Sequence, residues 1–330
     1  MAIGMNGGRS EMEKGRNRSL LALGVNFERC TGHGIIVSWR DFYRLDHIKS
    51  ITAKMAITAK QVNELRKATG AGMMDCKKAL VEAEGDFDKA VEILRKKGQK
   101  VSAKRSDREA NEGSVFAFGE GAKAVLIELN CETDFVARND DFQELGGQLA
   151  SAAYNAAPAD LEGLLAVELE GRSISDHLTD AMGKIGEKIT ISKYQKLEAE
   201  GVVTYIHPGG RVGVGVAFDG IGSADLVEIG KNVAMQIAAM NPVAIDKDGV
   251  PQDIIDKEME IGREQALASG KPAAIVDKIA TGKLNKFFKE NTLLNQEFVK
   301  DTSKTIAQYL KEANPDLTVK AFSRLQLGAN

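Results

Sequence analysis

The sequence predicts an α+β fold with antiparallel sheets, and three features of the 330-residue chain lead to that class. An internal repeat in the middle of the chain places two strands before a helix in each copy. Three short segments with helical spacing precede the repeat, and two helices joined by a tight stop follow its second helix. A chain of this length has room for two or three modest domains, each with its own core.

The first 54 residues differ in composition from the rest of the chain. They carry nine Lys and Arg against five Asp and Glu, whereas the remaining residues carry 35 against 42. Because they show no apolar periodicity, we expect residues 1–54 to be a poorly ordered, dispensable extension and translation to begin at Met55. A transit peptide is the alternative, although Glu11, Glu13 and Glu28 are unusual in one.

The composition excludes several classes of protein. No apolar run approaches the roughly 18 residues of a membrane span, so we expect no membrane segment and a cytoplasmic location. Cys30, Cys76 and Cys131 are too few and too scattered for a disulfide framework or a zinc site. A net charge of −3 argues against broad nucleic-acid binding. The basic stretch at 95–105 is interpreted as a solvated linker rather than an RNA-binding segment.

Residues 55–100 are predicted to form a small domain of three helices. Thr58 and Gln61 form a capping box at the start of the first helix, and Asp86 caps the third. Gly98 is expected to end that third helix. The inward faces of the second and third helices are expected to carry Met73, Cys76, Leu80, Ala83, Phe87, Ala90, Val91 and Leu94.

The internal repeat predicts two α+β subdomains, each with an antiparallel sheet and helices on one face. In each copy a Glu-Gly pair, beginning at Glu112 and at Glu200, opens a strand that turns through glycines into a second strand and then a helix. Third strands are expected at 188–192 and 317–323. The first subdomain is assigned to residues 101–195, and the second to residues 196–250 and 291–330.

The two copies differ most in the connection from the second strand to the helix. The second copy uses glycines and small residues at 219–225, whereas the first copy places Asp134 beside a large apolar Phe135. One interpretation is that Phe135 packs back onto the core. The interpretation we favour is an exposed apolar wedge, with an acid beside it, that enters a partner.

Residues 251–290 are predicted to form an antiparallel helical hairpin inserted in the second subdomain. Pro251 begins its first helix, and SGKP at 269–272 combines a helix stop with a helix start. Two helices joined this tightly pack against each other. Their apolar stripes either only hold the two helices together or also leave a surface for a partner or a second copy.

The sequence offers little support for an enzyme. It has no phosphate-binding GxxxxGK[ST] loop and no HExxH pair among its four histidines. Cys131 with His207 is a conceivable nucleophile and base, but the sequence supplies no third member and no oxyanion loop. Because Cys131 falls on the inward face of its strand, a buried and unreactive thiol is the preferred interpretation.

Several motifs resemble the bacterial elongation factor Ts family. In the order of the family they are TGAGMMDCKKAL at 69–80, CETDFVARN at 131–139, KIGE at 184–187, the turn at His207 and SGKP at 269–272. The resemblance runs from Met55 to about Gly328. It implies a UBA-like amino-terminal domain, a core of two subdomains and a coiled-coil hairpin.

The resemblance also implies a function. Members of this family are guanine nucleotide exchange factors that bind elongation factor Tu, in its GDP-bound and nucleotide-free forms, and perform no covalent chemistry. Lys77 is expected to meet the GTPase domain of that partner, and Asp134 and Phe135 its magnesium and nucleotide site. The full set of expected partner contacts is Lys77, Thr133, Asp134, Phe135, Val136, Ile185, Gly186, His207 and Val299. Lys300 stands where the family often has methionine, which weakens the expectation at Val299.

The resemblance implies no cofactor, no resident metal, no direct nucleic-acid contact and no membrane contact. A homodimer or a 2:2 assembly through the hairpin stays open. So do two alternatives to nucleotide exchange. One is a binding-only role in which the three-helix domain takes ubiquitin-like or ribosomal partners, and the other is a hydrolase built on Cys131. GDP release from elongation factor Tu distinguishes exchange from both.

Overall fold

The computed structural model describes residues 57–329 and combines helices with small antiparallel sheets, as the sequence predicts. The extension predicted at 1–54 and the start at Met55 lie outside the described residues. None of the helices in the described part is long and apolar enough to cross a membrane.

Three helices open the described chain: α1 (Ala59–Thr69), α2 (Met73–Glu82) and α3 (Phe87–Arg105). The capping box is confirmed, because Thr58 Oγ1 accepts a hydrogen bond from the backbone N–H of Gln61 and the Gln61 side chain accepts one from the backbone N–H of Thr58. Asp86 caps α3 by accepting a hydrogen bond from the N–H of Lys89 at 3.1 Å, also as predicted. The three helices enclose a small core that includes Val62, Leu65, Cys76, Ala79, Leu80, Ala83 and Ala90.

Two residues expected on the inward faces lie at the surface instead. Met73 is 57% exposed and Phe87 is 39% exposed. Each is the first residue of its helix. Helix side chains lean toward the N-terminus, so the first residue leans past the end of the helix, whereas later residues of the same stripe fill the core. The other residues expected on these faces are buried or half-buried: Cys76, Leu80, Ala83, Ala90, Val91 and Leu94.

The repeat folds as two three-stranded sheets. The strands are β1 (Glu112–Glu120), β2 (Lys123–Cys131), β3 (Glu168–Leu169), β4 (Arg172–Ser173), β5 (Thr190–Glu198), β6 (Gly201–Ile206), β7 (Val212–Asp219), β8 (Glu297–Phe298), β9 (Asp301–Thr305) and β10 (Thr318–Gln326). One sheet has the order β1-β2-β5 and the other β6-β7-β10, all antiparallel, so both copies share one topology. The third strands begin at Thr190 and Thr318, close to the predicted 188 and 317. The pairs β3–β4 and β8–β9 form two small ribbons.

Eight further helices accompany the strands within residues 112–329. They are α4 (Asp134–Ala137), α5 (Asp140–Ala156), α6 (Leu161–Ala166), α7 (Ile174–Ile185), α8 (Leu226–Met240), α9 (Gln252–Ala268), α10 (Ala273–Asn291) and α11 (Ile306–Ala313). Short 3-10 turns lie at Lys247–Gly249 and Leu293–Asn295.

The central strand β2 is buried on both faces and organises the core. On one face Val125 and Ile127 belong to a cluster with Phe142 of α5. On the other face Leu126 belongs to a cluster with Ala217 of β7. Because alternate residues of a strand point to opposite faces, the two sheets pack against each other and the helices cover their outer faces.

Gly98 does not end the third helix, contrary to the prediction. Helix α3 continues to Arg105 and crosses α7, where a Cβ on Gly183 would lie 2.8 Å from the Cα of Gly98 and a Cβ on Gly98 would lie 3.2 Å from the carbonyl oxygen of Thr179. Two backbones approach this closely only where side chains are absent. The basic stretch at 95–105 therefore forms the last turns of α3 rather than a linker.

Helices α9 and α10 form the predicted antiparallel hairpin. A Cβ on Gly262 would lie 3.0 Å from the Cα of Ala280, and Arg263 Nε lies 2.8 Å from an Asp277 carboxylate oxygen. The buried residues of the two helices are Gly262, Ala266, Val276 and Ala280. The predicted apolar stripes thus hold the two helices together.

We predict that Gly183→Ala lowers stability by about 1–3 kcal/mol, because the added Cβ would meet the Gly98 backbone and push α7 away from α3. The control is Gly147→Ala in α5, where the added Cβ would have no heavy atom of the described chain within 4 Å apart from its chain neighbours and the backbone of its own helix. The control change should raise stability by about 0.5–1 kcal/mol, since glycine in a helix carries an entropic cost. Calorimetry on both variants measures the difference, and equal unfolding midpoints would contradict the close crossing.

Candidate functional site

The connection from β2 to α5 contains a helical turn, α4, rather than an open loop. Thr133 caps this turn, with its Oγ1 accepting a hydrogen bond from the N–H of Val136 at 3.4 Å. Phe135 is the second residue of the turn and is 83% exposed, the highest value for a large apolar side chain in the described residues. The interpretation in which Phe135 packs back onto the core is therefore wrong.

Two glutamates hold this turn against the segment that follows α7. Both oxygens of Glu187 accept hydrogen bonds from Thr133, one from the backbone N–H at 3.0 Å and one from Oγ1 at 2.7 Å. In return Glu132 Oε1 accepts a hydrogen bond from the backbone N–H of Lys188 at 2.7 Å. We call these four residues the carboxylate clamp. Hydrogen bonds to ionised acceptors are stronger than neutral ones, so the clamp fixes the two segments to each other.

Glu132 also connects the clamp to the end of α3. Arg105 donates to its Oε1 at 2.6 Å, and Arg108 donates to its Oε2 at 3.3 Å. Burial disfavours the charged form of this side chain, which is 13% exposed, but the hydrogen bonds from Arg105 and Lys188 outweigh burial and lower the pKa of Glu132. Glu132 is therefore ionised at neutral pH and available as an acceptor.

A second anchor holds the far end of α4. Gln143 Nε2 donates to the carbonyl oxygen of Ala137 at 2.5 Å and to Ser114 Oγ at 3.0 Å. Val115, which follows Ser114, donates its backbone N–H to the carbonyl oxygen of Gly210 at 2.7 Å. The turn that contains His207 is thus connected to α4 by a short path of hydrogen bonds through the start of β1.

The side chains around Phe135 leave its ring free. Asp134 lies 3.0 Å from Arg138 in an ion pair along the helical turn, and Val136 packs against the core of the first subdomain. Ile185 packs against the same core, and Gly186 ends α7 in the left-handed conformation, with φ 83°. The clamp therefore brings together the predicted contacts at 133–136 and 185–186.

Lys77 lies on the exposed face of α2. Its neighbours include Met74 and Val81, which are also exposed and line a shallow apolar depression with Lys77. Met74 and Val81 are not among the predicted partner contacts. The signal was present, because residues 74, 77, 78 and 81 recur at helical spacing on the side opposite the buried Cys76 and Leu80.

His207 and Val299 are both exposed but lie in different turns. His207 Nδ1 is 3.1 Å from the hydroxyl oxygen of Tyr205. The N–H of Val299 donates to Oε1 of the buried Gln236 at 2.9 Å. Within residues 57–329 no hydrogen bond or ion pair joins Lys77 or Val299 to the carboxylate clamp, so these two predicted contacts are separate from it.

Cys131 is buried at the end of β2, and its thiol donates to the carbonyl oxygen of Thr133 at 3.1 Å. Burial, together with the negative charge of Glu187, raises the pKa of Cys131 to about 12. A thiol is a poor nucleophile while it is protonated, so the geometry argues against the Cys131–His207 pair. The described residues also contain no group of three His, Cys, Asp or Glu able to hold a metal ion.

Comparison with known proteins identifies close relatives. Residues 132–329 match the family model described as elongation factor TS. The elongation factor Ts of Amoebophilus asiaticus is 53% identical over 277 residues, which cover 83% of this chain and 100% of the relative. The elongation factor Ts of Cytophaga hutchinsonii is 52% identical over 274 residues, covering 82% and 99%. That of Porphyromonas gingivalis is 49% identical over 277 residues, covering 84% and 100%.

We predict that Cys131 resists alkylation in the folded protein. With a pKa near 12 the thiolate is scarce at pH 8, whereas an unfolded cysteine, with a pKa of about 8.5, reacts readily. Iodoacetamide labelling followed by peptide mass spectrometry should therefore modify Cys131 more than about a thousandfold faster in denaturant than in native buffer. Rapid labelling of Cys131 in the native protein would contradict the assignment of an inert thiol.

Proposed function

Since the chain belongs to the elongation factor Ts family, and is therefore a translation elongation factor, we propose that it is a guanine nucleotide exchange factor for elongation factor Tu. It binds the GDP-bound partner, promotes release of GDP and remains bound to the nucleotide-free form. No covalent bond is made or broken in this reaction.

The exposed ring of Phe135 is the observation that carries the proposal. A large apolar side chain that is 83% exposed gains free energy by entering a partner, about 1.5–3 kcal/mol on full burial. The clamp on one side of α4 and Gln143 on the other hold the turn in place. The ring is thus presented before the partner arrives, so little ordering has to occur on binding.

Linkage explains how such a wedge releases a nucleotide. A factor that binds the nucleotide-free partner more tightly than the loaded one weakens nucleotide binding by the same ratio. Magnesium keeps several waters in nucleotide sites, and groups outside its first ligands orient those waters. In this proposal Phe135 enters beside the magnesium site of elongation factor Tu, and Asp134 competes for the groups that orient the magnesium waters.

The other proposed contacts distribute binding over several surfaces. Lys77 meets the GTPase domain of the partner, and the exposed Met74 and Val81 beside it supply apolar area. The complete set of proposed partner contacts is Lys77, Thr133, Asp134, Phe135, Val136, Ile185, Gly186, His207 and Val299. Their exposure or half-exposure on the described surface is consistent with this role.

We extend the proposal to the architecture. The helices at 55–100 form a UBA-like domain, residues 101–195 and 196–250 with 291–330 form the two core subdomains, and residues 251–290 form a coiled coil. Helix α3 runs across the limit at residue 100, so the first two domains share a helix. A cytoplasmic location, the absence of direct nucleic-acid contact and a homodimer or 2:2 assembly through the hairpin remain proposals of the same kind.

We predict that Phe135→Ala slows GDP release from elongation factor Tu by about ten- to hundredfold, the rate equivalent of losing the burial of one phenyl ring. The melting temperature should stay within about a degree of wild type, because an exposed side chain contributes little to folding. Val227→Ala, at another highly exposed apolar residue in the second copy of the repeat, is the control and should change neither quantity.

Asp134→Ala should cause a smaller loss, and the double variant should lose less than the two single effects combined, since both residues enter one site. Stopped-flow release of a fluorescent GDP analogue and calorimetry measure these quantities on the same samples. Normal release per folded molecule from Phe135→Ala would overturn the wedge. Wild-type protein that does not accelerate GDP release would favour the binding-only alternative with ubiquitin-like or ribosomal partners.

A further inference from the structure

In both copies of the repeat, a carboxylate accepts backbone hydrogen bonds from the connection between the second strand and the helix. In the second copy this connection follows β7, and Glu200 Oε2 accepts hydrogen bonds from the N–H groups of Gly220 at 2.8 Å and Ile221 at 3.3 Å. Glu200 immediately precedes β6. The second connection is therefore held by the residue that directly precedes a strand of its own sheet.

The first copy has the matching glutamate but uses it differently. Glu112 takes the same place in the Glu-Gly pair that opens the repeat, yet its carboxylate pairs with Arg211 at 2.6 Å. Thr133 lies two residues after β2, just as Ile221 lies two residues after β7. The backbone N–H of Thr133 donates a hydrogen bond to Glu187, which follows α7. In the first copy the carboxylate that holds the connection thus comes from beyond the end of a helix, and in the second copy it comes from just before a strand.

We propose that Glu187 is a positioning residue for nucleotide release, one that couples the Phe135 turn to the Ile185–Gly186 segment. The proposal rests on the exchange function proposed above. Glu187 directly follows Gly186, and its two oxygens are both engaged by Thr133. A displacement at either proposed contact is therefore transmitted to the other through two hydrogen bonds.

The surroundings of Glu187 make this coupling stiff. Lys188, the residue after Glu187, donates its backbone N–H to Glu132, the residue before Thr133, so the two segments are joined in both directions. Helix α7, which ends just before Glu187, is packed on α3 at Gly183. Among residues 57–329 the Glu200 side chain accepts hydrogen bonds only from Gly220 and Ile221, neither of which is a proposed contact, so this connection is a matched comparison within the same fold.

The experiment titrates the protein against limiting elongation factor Tu loaded with a fluorescent GDP analogue. A variant that is merely less folded needs a higher concentration for half-saturation but reaches the wild-type plateau rate. A variant that presents Phe135 wrongly reaches a lower plateau. We expect Glu187→Ala to lower the plateau rate about tenfold, because a small displacement of a side chain that acts in a reaction slows that reaction. Glu187→Gln keeps one acceptor oxygen and should lose less.

Glu200→Ala is the control, since it removes the equivalent fastening from the second copy, and it should retain the wild-type plateau. Thr133→Val removes the hydroxyl donor while keeping the side-chain shape, and it decides the matter if Glu187→Ala does not fold. The plateau should fall in Thr133→Val, and adding Glu187→Gln should lower it less than independent effects would.

The outcomes separate the two proposals. Wild-type plateaus in the folded variants of Glu187 and Thr133, alongside a lowered plateau in Phe135→Ala, would overturn the positioning role and leave the exchange function intact. An equal loss in Glu200→Ala and Glu187→Ala would also overturn the positioning role. Wild-type protein that does not accelerate GDP release would overturn the exchange function itself.

Discussion

The reciprocal hydrogen bonding of Glu132 and Glu187 is the constraint on which the rest of the site depends. Each carboxylate crosses to the segment that carries the other, so the end of β2 and the end of α7 are fixed together. Arg105 at the end of α3 and Arg108, three residues later, pair with Glu132, which allows that carboxylate to be largely buried. With both ends of α4 held by hydrogen bonds, an apolar ring can stand in solvent without collapsing onto the core, because those bonds restrain the backbone that carries it.

The repeat supplies the platform for this arrangement. Both copies have the same strand order and a helix on the outer face, and β2 is buried on both sides where the sheets meet. Such a core resists displacement, since close-packed interiors transmit strain rather than absorb it. The copies differ at the connection after the second strand, where one has glycines and the other has Thr133, Asp134 and Phe135. A shared platform with one altered connection explains how a duplicated fold carries a single wedge.

Much of this fold could be predicted because its signals are local. Alternation placed the strands, the Thr58–Gln61 box placed the first helix, and the likeness of the two copies predicted a shared topology that the structure confirms. The predictions failed where residues distant in sequence determine the local structure. Gly98 resembles a glycine that ends a helix, but instead it allows α3 to cross closely over α7 at Gly183. The clamp joins residues 54 and 56 positions apart, a pairing that no local pattern reveals. The exposure of Phe135 depends on that pairing, so the sequence left two interpretations open.

Amide hydrogen exchange in the free protein tests the central claim most directly, because the N–H groups of Thr133 and Lys188 are the two backbone donors of the clamp. If the clamp holds the Phe135 turn in place before any partner binds, both amides should exchange at least about a hundredfold more slowly than in an unstructured peptide. Both should lose that protection together when Glu187 is replaced by alanine. Exchange of both amides at unprotected rates in the wild-type protein would contradict the account, since the ring would then stand on a turn that opens freely.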